Sequence, residues 1–131
     1  MIEKIEESIL DVLRENFEDY DVLEFPPKFE EFYFTQANGC ILVRFEGSQF
    51  SEQTTVTKVE QEETYKYSIV LGLRSRQSFK ECYPTLSRVR TLLKDMSIYG
   101  RRIQLEKQAY LENINGDLWW GIGIKVTLPD Y

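Results

Sequence analysis

The chain has 131 residues, of which 42% are hydrophobic and 14% aromatic, enough to build a core in one domain over residues 1–131. It contains no histidine, so it lacks the side chain most often used as a general base or transition-metal ligand. Cys40 and Cys82 are too few for a disulfide framework, and we expect both to be reduced and buried. No export signal or apolar run of about 18 residues is visible, which indicates a cytoplasmic product.

Charge is distributed unevenly along the chain, whose formal net charge is −6. Residues 1–31 carry eleven acids and three bases, whereas residues 32–131 carry eleven acids and thirteen bases. Eight of those bases lie between Arg74 and Arg102, opposed by two acids. Opposed regions of this kind can attract each other within one chain or between copies, although solvated helix surfaces are the simpler interpretation.

The first half of the chain begins with a helical pattern. An apolar stripe at helical spacing predicts a helix over about residues 2–17. A short extended piece at 22–25 follows, and Pro26 and Pro27 end it because neither can donate to a sheet. The run at 38–47 is rich in β-branched residues and predicts a strand covered on both faces.

Alternating polarity returns in the second half of the chain and predicts a half-buried strand at 64–74. Helical spacing predicts a second helix at 84–97. Two strands at about 102–112 and 117–128 should form a hairpin at Asn115-Gly116. The sequence therefore predicts an α+β fold, a two-layer sandwich of two helices on a mostly antiparallel sheet of four to five strands, in the order α-β-β-β-α-β-β.

The intervening stretch at 48–63 is polar and has no consistent period. It favours either a long mobile loop or a hairpin arm. Long loops in small domains often carry function, so we treat the segment Gln53, Thr54, Thr55 to Lys58 as a candidate docking loop.

The adjacent residues Trp119 and Trp120 point to opposite faces of the last predicted strand. Trp120 shares the apolar face and should belong to the core. Trp119 shares its face with Gly121 and Gly123, which suggests that another backbone or side chain packs close there. Whether that neighbour belongs to the same subunit or to another one stays open.

Candidate catalytic groups are sparse. Without histidine, Ser-His and Cys-His arrangements are excluded, and the two glycines of the last strand do not open a helix as a phosphate loop requires. Acid pairs in polar surroundings are interpreted as solvated, with nothing to raise a pKa, and the acids at 18–21 do not match a calcium loop. The acid pairs are Glu6-Glu7, Glu30-Glu31 and Glu62-Glu63. We therefore expect no enzymatic activity, no cofactor and no metal.

Four arginines beside Tyr83 and Tyr99 raise the question of nucleic-acid binding. The isoelectric point of about 4.8 works against a continuous positive surface for phosphates. We instead expect these arginines to serve electrostatic contacts at a protein interface, with Trp119 supplying apolar packing. The arginines are Arg74, Arg76, Arg101 and Arg102.

Nearly the whole chain resembles the small tail-completion proteins of Mu-like contractile-tailed phages and prophages, which are related to the tail terminators of other long-tailed phages. The stretch 15–31 departs from the resemblance. The segments that carry it are MIEKIEESILDVL, CILVRFEGSQF, YKYSIVLGLRSRQ, YPTLSRVRTLL and DLWWGIGIKVTLP.

The resemblance implies a structural protein of the virion tail, assembled in the cytoplasm of the host. Such a protein forms a ring, expected to be a hexamer, on the head-proximal end of the tail tube, stops tube polymerisation and allows the head to join. Its partners would be its own copies and tube subunits, with sheath and head-completion proteins as further candidates, and neither a membrane nor specific nucleic acid. A head-tail connector, an assembly chaperone, or a small-ligand binder remain alternatives.

Overall fold

The structure, a computed structural model, describes residues 1–33, 35–36, 38–51, 61–74 and 76–129. Its helices and strands follow the predicted order, and the α+β prediction is confirmed. The elements are α1 (Ile2–Asn16), β1 (Asp21–Glu24), β2 (Gly39–Phe50), β3 (Glu62–Leu73), α2 (Tyr83–Lys94), β4 (Ser97–Ile98), β5 (Arg101–Arg102), β6 (Gln104–Ile114) and β7 (Asp117–Pro129). Short 3-10 turns occupy Phe29–Glu31 and Phe79–Glu81.

Five strands form the main sheet in the order β1-β2-β3-β7-β6. All neighbours are antiparallel except β1 and β2, which are parallel. Parallel strands need a crossover connection, and the chain between β1 and β2 supplies it. The remaining two strands, β4 and β5, pair as a separate ribbon, so the strand predicted to start at 102 begins at Gln104.

Helix α1 packs its apolar stripe on the sheet, burying Ile5, Ile9 and Leu13 completely. The Tyr67 hydroxyl on β3 donates a hydrogen bond of 2.9 Å to the Ile2 carbonyl oxygen, which ties the first turn of α1 to the sheet. This contact and the buried stripe fix which side of α1 faces solvent.

Helix α2 packs on the same face of the sheet as α1. Pro84 lies in its first turn, where the absence of an N–H is tolerated. The helix ends at Lys94, three residues before the predicted end, because Ser97 and Ile98 pair with Arg101 and Arg102 in the ribbon. Tertiary pairing therefore overrides helical periodicity at this point.

The main core lies between the two helices and the sheet. As predicted, the apolar face of β7 belongs to this core through Trp120 and alternate residues after it. The β7 members are Leu118, Trp120, Ile122, Ile124, Val126 and Leu128. Cys82 lies in the same core, and both Cys40 and Cys82 are free and buried, which confirms the cysteine prediction.

The segment between β2 and β3 is a hairpin arm rather than a loop in its described part. Strand β2 continues to Phe50, β3 begins at Glu62, and Phe50 is paired with Glu63. The loop interpretation is therefore wrong for 48–50 and 62–63. The candidate docking loop Gln53, Thr54, Thr55 and Lys58 lies outside the described residues.

The predicted turn at Asn115-Gly116 is confirmed. Both residues have positive φ angles, 54° and 91°, as a tight hairpin between antiparallel strands requires. The Asn113 side-chain oxygen accepts a hydrogen bond of 2.9 Å from the Gly116 N–H.

Candidate interaction surfaces

Trp119 lies on the sheet face opposite the helices and is only 5% exposed. Residues 25–32, which we call the phenylalanine strap, cover it. The Phe29 ring meets the Trp119 indole edge-on with centroids 5.0 Å apart. Phe25 and Phe32 stack on either side of Phe29, at 5.2 and 6.2 Å. The indole therefore packs inside its own subunit, and any contact it makes with another subunit would run through the strap.

The close packing expected beside Trp119 is present, but it involves a glycine that the sequence did not single out. Gly72 on β3 is the cross-strand partner of Trp119. A Cβ added to Gly72 would lie 2.7 Å from the indole ring, closer than real Cβ contacts allow. Gly72 therefore leaves the space in which the Trp119 ring lies flat against the sheet.

A groove of about 530 Å³ runs between the phenylalanine strap and the β6–β7 hairpin. Its most exposed aromatic side chain is Tyr33, at 87%. The groove brings Arg74 and Trp119 together, two of the predicted interface residues. Its lining residues are Phe29, Glu30, Phe32, Tyr33, Arg74, Glu112, Ile114, Asn115, Asp117 and Trp119.

The predicted interface arginines do not form one cluster. Arg74 follows the end of β3, whereas the Arg101 guanidinium lies 3.3 Å from the Glu62 carboxylate at the start of β3. Eleven residues of extended strand separate these ends by roughly 35 Å. Arg101 and its exposed neighbour Arg102 therefore lie at the arm end of the sheet, away from Trp119.

Arg76 lies near Cys82, on which its charge acts electrostatically. It is half-buried, whereas Arg101 and Arg102 are exposed. Arg76 therefore presents less of its surface to a partner than the two arginines at the arm end.

One arginine of the basic region contacts the acidic amino-terminal region within the same chain, although not through a carboxylate. Arg88 on α2 donates a hydrogen bond of 2.8 Å to the Asn16 carbonyl oxygen at the end of α1. Its guanidinium also lies over the Phe17 ring, 4.4 Å from the centroid. Arg88 therefore fixes α2 against the C-terminal end of α1.

A second positive surface, not predicted from the sequence, lies on the sheet face away from the helices. We call it the outer sheet face, defined by Arg44, Lys66, Lys107, Lys125 and the small residues between them. Register aligns Arg44 with Ser68, Gly123 and Lys107 across four strands, and Lys66 stands directly opposite Lys125. The alternation in β3 and β7 that identified the core already placed these lysines on the other face.

An acidic surface lies on the exposed side of α1. Four carboxylates recur at every fourth position and all are exposed, so they form one row along the helix. We call this row the acidic ridge: Glu3, Glu7, Asp11 and Glu15. Of these four carboxylates, Asp11 is the one with a cation nearby in the described structure: a guanidinium nitrogen of Arg14 lies 3.9 Å from its carboxylate oxygen.

The expectation that nothing raises the pKa of the acid pairs is wrong for Glu6. Partial burial raises the pKa of Glu6, and the charges of Glu24, Glu7 and Glu3 raise it further. The helical spacing of α1 places Glu6 near the sheet rather than fully in solvent. The crowding of carboxylates around α1 therefore extends to its partly buried side.

Burial raises the pKa of the Cys40 thiol from 9.0 to about 12 and also raises that of the Tyr67 hydroxyl. Both groups are neutral when protonated, so the folded state holds their protons more tightly than the unfolded state. Their contribution is complete below pH 9 and is lost as pH rises through the folded pKa. We expect the free energy of unfolding to fall by about 1.4 kcal/mol per pH unit for Cys40 alone above pH 9.

Urea denaturation at pH 8, 10 and 11 measures this slope. The Cys40→Ala variant is the control, because it should lose the Cys40 part of the slope while keeping the parts due to Tyr67 and to Cys82, whose pKa is also raised by burial. Equal slopes in the two proteins would contradict the assignment.

Within the described part of the chain, no group of three or more acidic or cysteine side chains is placed to hold a metal ion. Neither described helix is long and apolar enough to cross a membrane.

Comparison with protein families gives a match to the model described as Gp37 protein, over residues 9–129. The match includes the second half of α1 and every strand of the sheet. The chain belongs to the Gp37 protein family. This is a family of phage type and indicates a phage structural or assembly protein, associated with the virion. A search of curated proteins found no match.

Proposed function

We propose that this Gp37-family chain is a tail-completion protein, which caps the head-proximal end of a tail tube as a ring. It stops tube polymerisation and presents a surface on which the head joins, and it has no enzymatic activity. The observation that carries the proposal is the match of residues 9–129 to the phage-type Gp37 family. The pair of oppositely charged surfaces, the acidic ridge and the outer sheet face, lies on opposite layers of the subunit and supports assembly as a ring.

A closed ring requires a heterologous interface, in which one surface of each subunit meets a different surface of the next. The two charged surfaces satisfy this requirement, since one belongs to the helix layer and the other to the sheet layer. A two-fold dimer would need one surface that complements itself, and neither the acidic ridge nor the lysine-bearing face can do so.

We place the tube contact at the arm end of the sheet. There Arg101, next to Arg102 in the chain, is paired with Glu62, the first residue of β3 after the predicted docking loop. Half of the Arg101 side chain remains exposed, so it can also meet an acidic group on the tube. Sheath and head-completion proteins would meet the remaining surfaces of the ring.

Polymerisation of purified tube subunits with and without this chain tests the proposal. We expect tubes of unlimited length without the protein, and short tubes with a ring at one end, visible by electron microscopy, when it is present. Deletion of the gene should give over-long tails. The Arg101→Glu/Arg102→Glu variant should still form rings but bind tubes at least about tenfold more weakly, because its charge opposes acidic groups on the tube.

Two results would contradict this function. One is a stable dimer in sedimentation that never forms a ring and does not bind tubes. The other is a pulldown that recovers head or baseplate proteins instead of tube subunits, which would favour a head-tail connector or an assembly chaperone.

A further inference from the structure

We propose that the seam between subunits is formed by the acidic ridge of one copy docked on the outer sheet face of the next. This inference rests on the proposed ring, and it names the two surfaces that close it. The partner of the basic face is thus a second copy of this chain.

The outer sheet face carries more positive charge than the described structure neutralises. Arg44 pairs with Glu46 at 3.2 Å, and Lys66 approaches Glu106 at 3.9 Å. In the described part of the chain, Lys107 and Lys125 have no carboxylate within 4.0 Å. Lys125 also stands directly across from Lys66, and like charges in that position destabilise a sheet. An acidic partner would relieve this repulsion.

The middle of the same face is lined with small residues. Gly121 lies between Val70 and Ala109 in the register. A Cβ on Gly121 would lie 3.5 Å from the Leu111 side chain, an ordinary contact, so the subunit itself does not require glycine there. Glycine inside a strand weakens it, and one frequent reason for its presence is close approach by another element. The Leu111 side chain lies over Gly121, and the aliphatic part of Lys107 lies over Gly123, so a docked helix would pack on these two exposed side chains beside the lysines.

The acidic ridge shows the same self-repulsion with opposite sign. Carboxylates four residues apart on a helix repel each other, and three such pairs follow along Glu3, Glu7, Asp11 and Glu15. The ridge spans about 18 Å along the helix. Arg44 and Lys107 lie three strand spacings apart, roughly 14 Å. The two charged surfaces therefore match in sign and approximately in length.

The positions of these surfaces fix the type of contact. Helix α1 covers the sheet face that carries Tyr67, and the lysines lie on the opposite face. The ridge and the outer sheet face consequently point away from each other on one subunit. Docking of one on the other is head-to-tail, which is the arrangement that closes into a ring when the rotation between subunits allows it.

Two charge-reversed variants test the seam. The ridge variant is Glu7→Lys/Glu15→Lys, and the face variant is Lys107→Glu/Lys125→Glu. Neither removes an ion pair seen within the described subunit. We expect each variant alone to associate at least about tenfold more weakly than the unaltered protein in sedimentation at low salt, because each opposes like charges or removes attraction at the seam.

An equimolar mixture of the two variants should restore assembly. In an alternating ring every ridge would again meet a face of opposite charge. The chain that carries all four substitutions should likewise associate, with the same net charge as the unaltered protein. This recovery separates a docked seam from a general effect of charge on solubility.

The matched control is Lys80→Glu/Lys94→Glu, which makes the same charge change as the face variant at exposed positions around α2. It should associate like the unaltered protein. Circular dichroism and thermal unfolding of all variants check that each is folded.

Several outcomes would overturn the inference. Rings that form normally in both variants would place the seam elsewhere and leave the proposed tail-completion function intact. No association of the unaltered chain at millimolar concentration in low salt, or on tubes, would contradict both. If the face variant loses affinity for a short DNA duplex but assembles normally, the face binds nucleic acid and the inference is wrong.

Discussion

Replacing Trp119 with alanine is expected to lower the free energy of unfolding by about 3–5 kcal/mol. The indole is nearly fully buried between the sheet and the phenylalanine strap, and its removal leaves a cavity that Phe29 must partly fill. Phe29 holds Phe25 and Phe32 by stacking, so the whole strap should loosen. Urea denaturation at pH 7 gives the free energy, and proteolysis near residue 28 reports the strap.

Tyr33→Ala is the matched control for Trp119→Ala. It removes an aromatic side chain from the same groove, but one that is 87% exposed, so stability should change by less than about 0.5 kcal/mol. If Trp119→Ala leaves the stability unchanged and instead weakens assembly of the ring, Trp119 is an interface residue and its assignment to the subunit core is wrong.

The period-two pattern of the last strand predicts which sheet face each tryptophan occupies, but not what covers that face. Period two in the last strand placed Trp120 in the main core and Trp119 on the opposite face, and both placements are confirmed. What covers that opposite face depends on the path of residues 25–32. Pro26 and Pro27 predicted only that a strand ends there, because proline sets local geometry and not the direction of the following chain.

The candidate interface was predicted less well than the fold. Arginines close in sequence were grouped, but β3 carries Arg74 and the partner of Arg101 to opposite ends of the sheet. The outer sheet face brings Lys66 of β3 beside Lys107 and Lys125 of the β6–β7 hairpin, which comes much later in the chain. Such a surface follows from strand order and register, and these depend on long-range pairing that local patterns do not specify.

The acidic region illustrates the opposite case. The excess of acids in residues 1–31 is visible in the sequence. Glu3, Glu7, Asp11 and Glu15 are spaced by four residues within one helix, so the helical period alone places them on one face. The charge pattern predicted that the acidic region meets the bases of 74–102, but Arg88 of that region contacts the end of α1 within the same chain. The outer sheet face, whose lysines come from separate strands, is therefore the better candidate for the surface that meets the acidic ridge.

Gly72→Ala should destabilise the protein by about 1–3 kcal/mol, because the new methyl group would lie 2.7 Å from a ring that is held on its other side by Phe29. In a chain that already carries Trp119→Ala, the same substitution should be neutral or stabilising by up to about 1 kcal/mol. No indole then opposes the methyl group, and alanine reduces the conformational entropy of the unfolded chain.

The four proteins of this double-mutant cycle, compared by urea denaturation, should therefore show a coupling energy of about 1–4 kcal/mol between Gly72 and Trp119. Gly121→Ala is the control: its methyl group would make an ordinary 3.5 Å contact with Leu111, so its effect on stability should be the same with either residue at 119. Equal effects of Gly72→Ala in both backgrounds would show that the glycine is needed for the backbone of β3 and not for the indole. A coupling of the expected size would establish that Trp119 is seated by its own subunit, which leaves the lysine-bearing part of the same face open to a neighbouring copy.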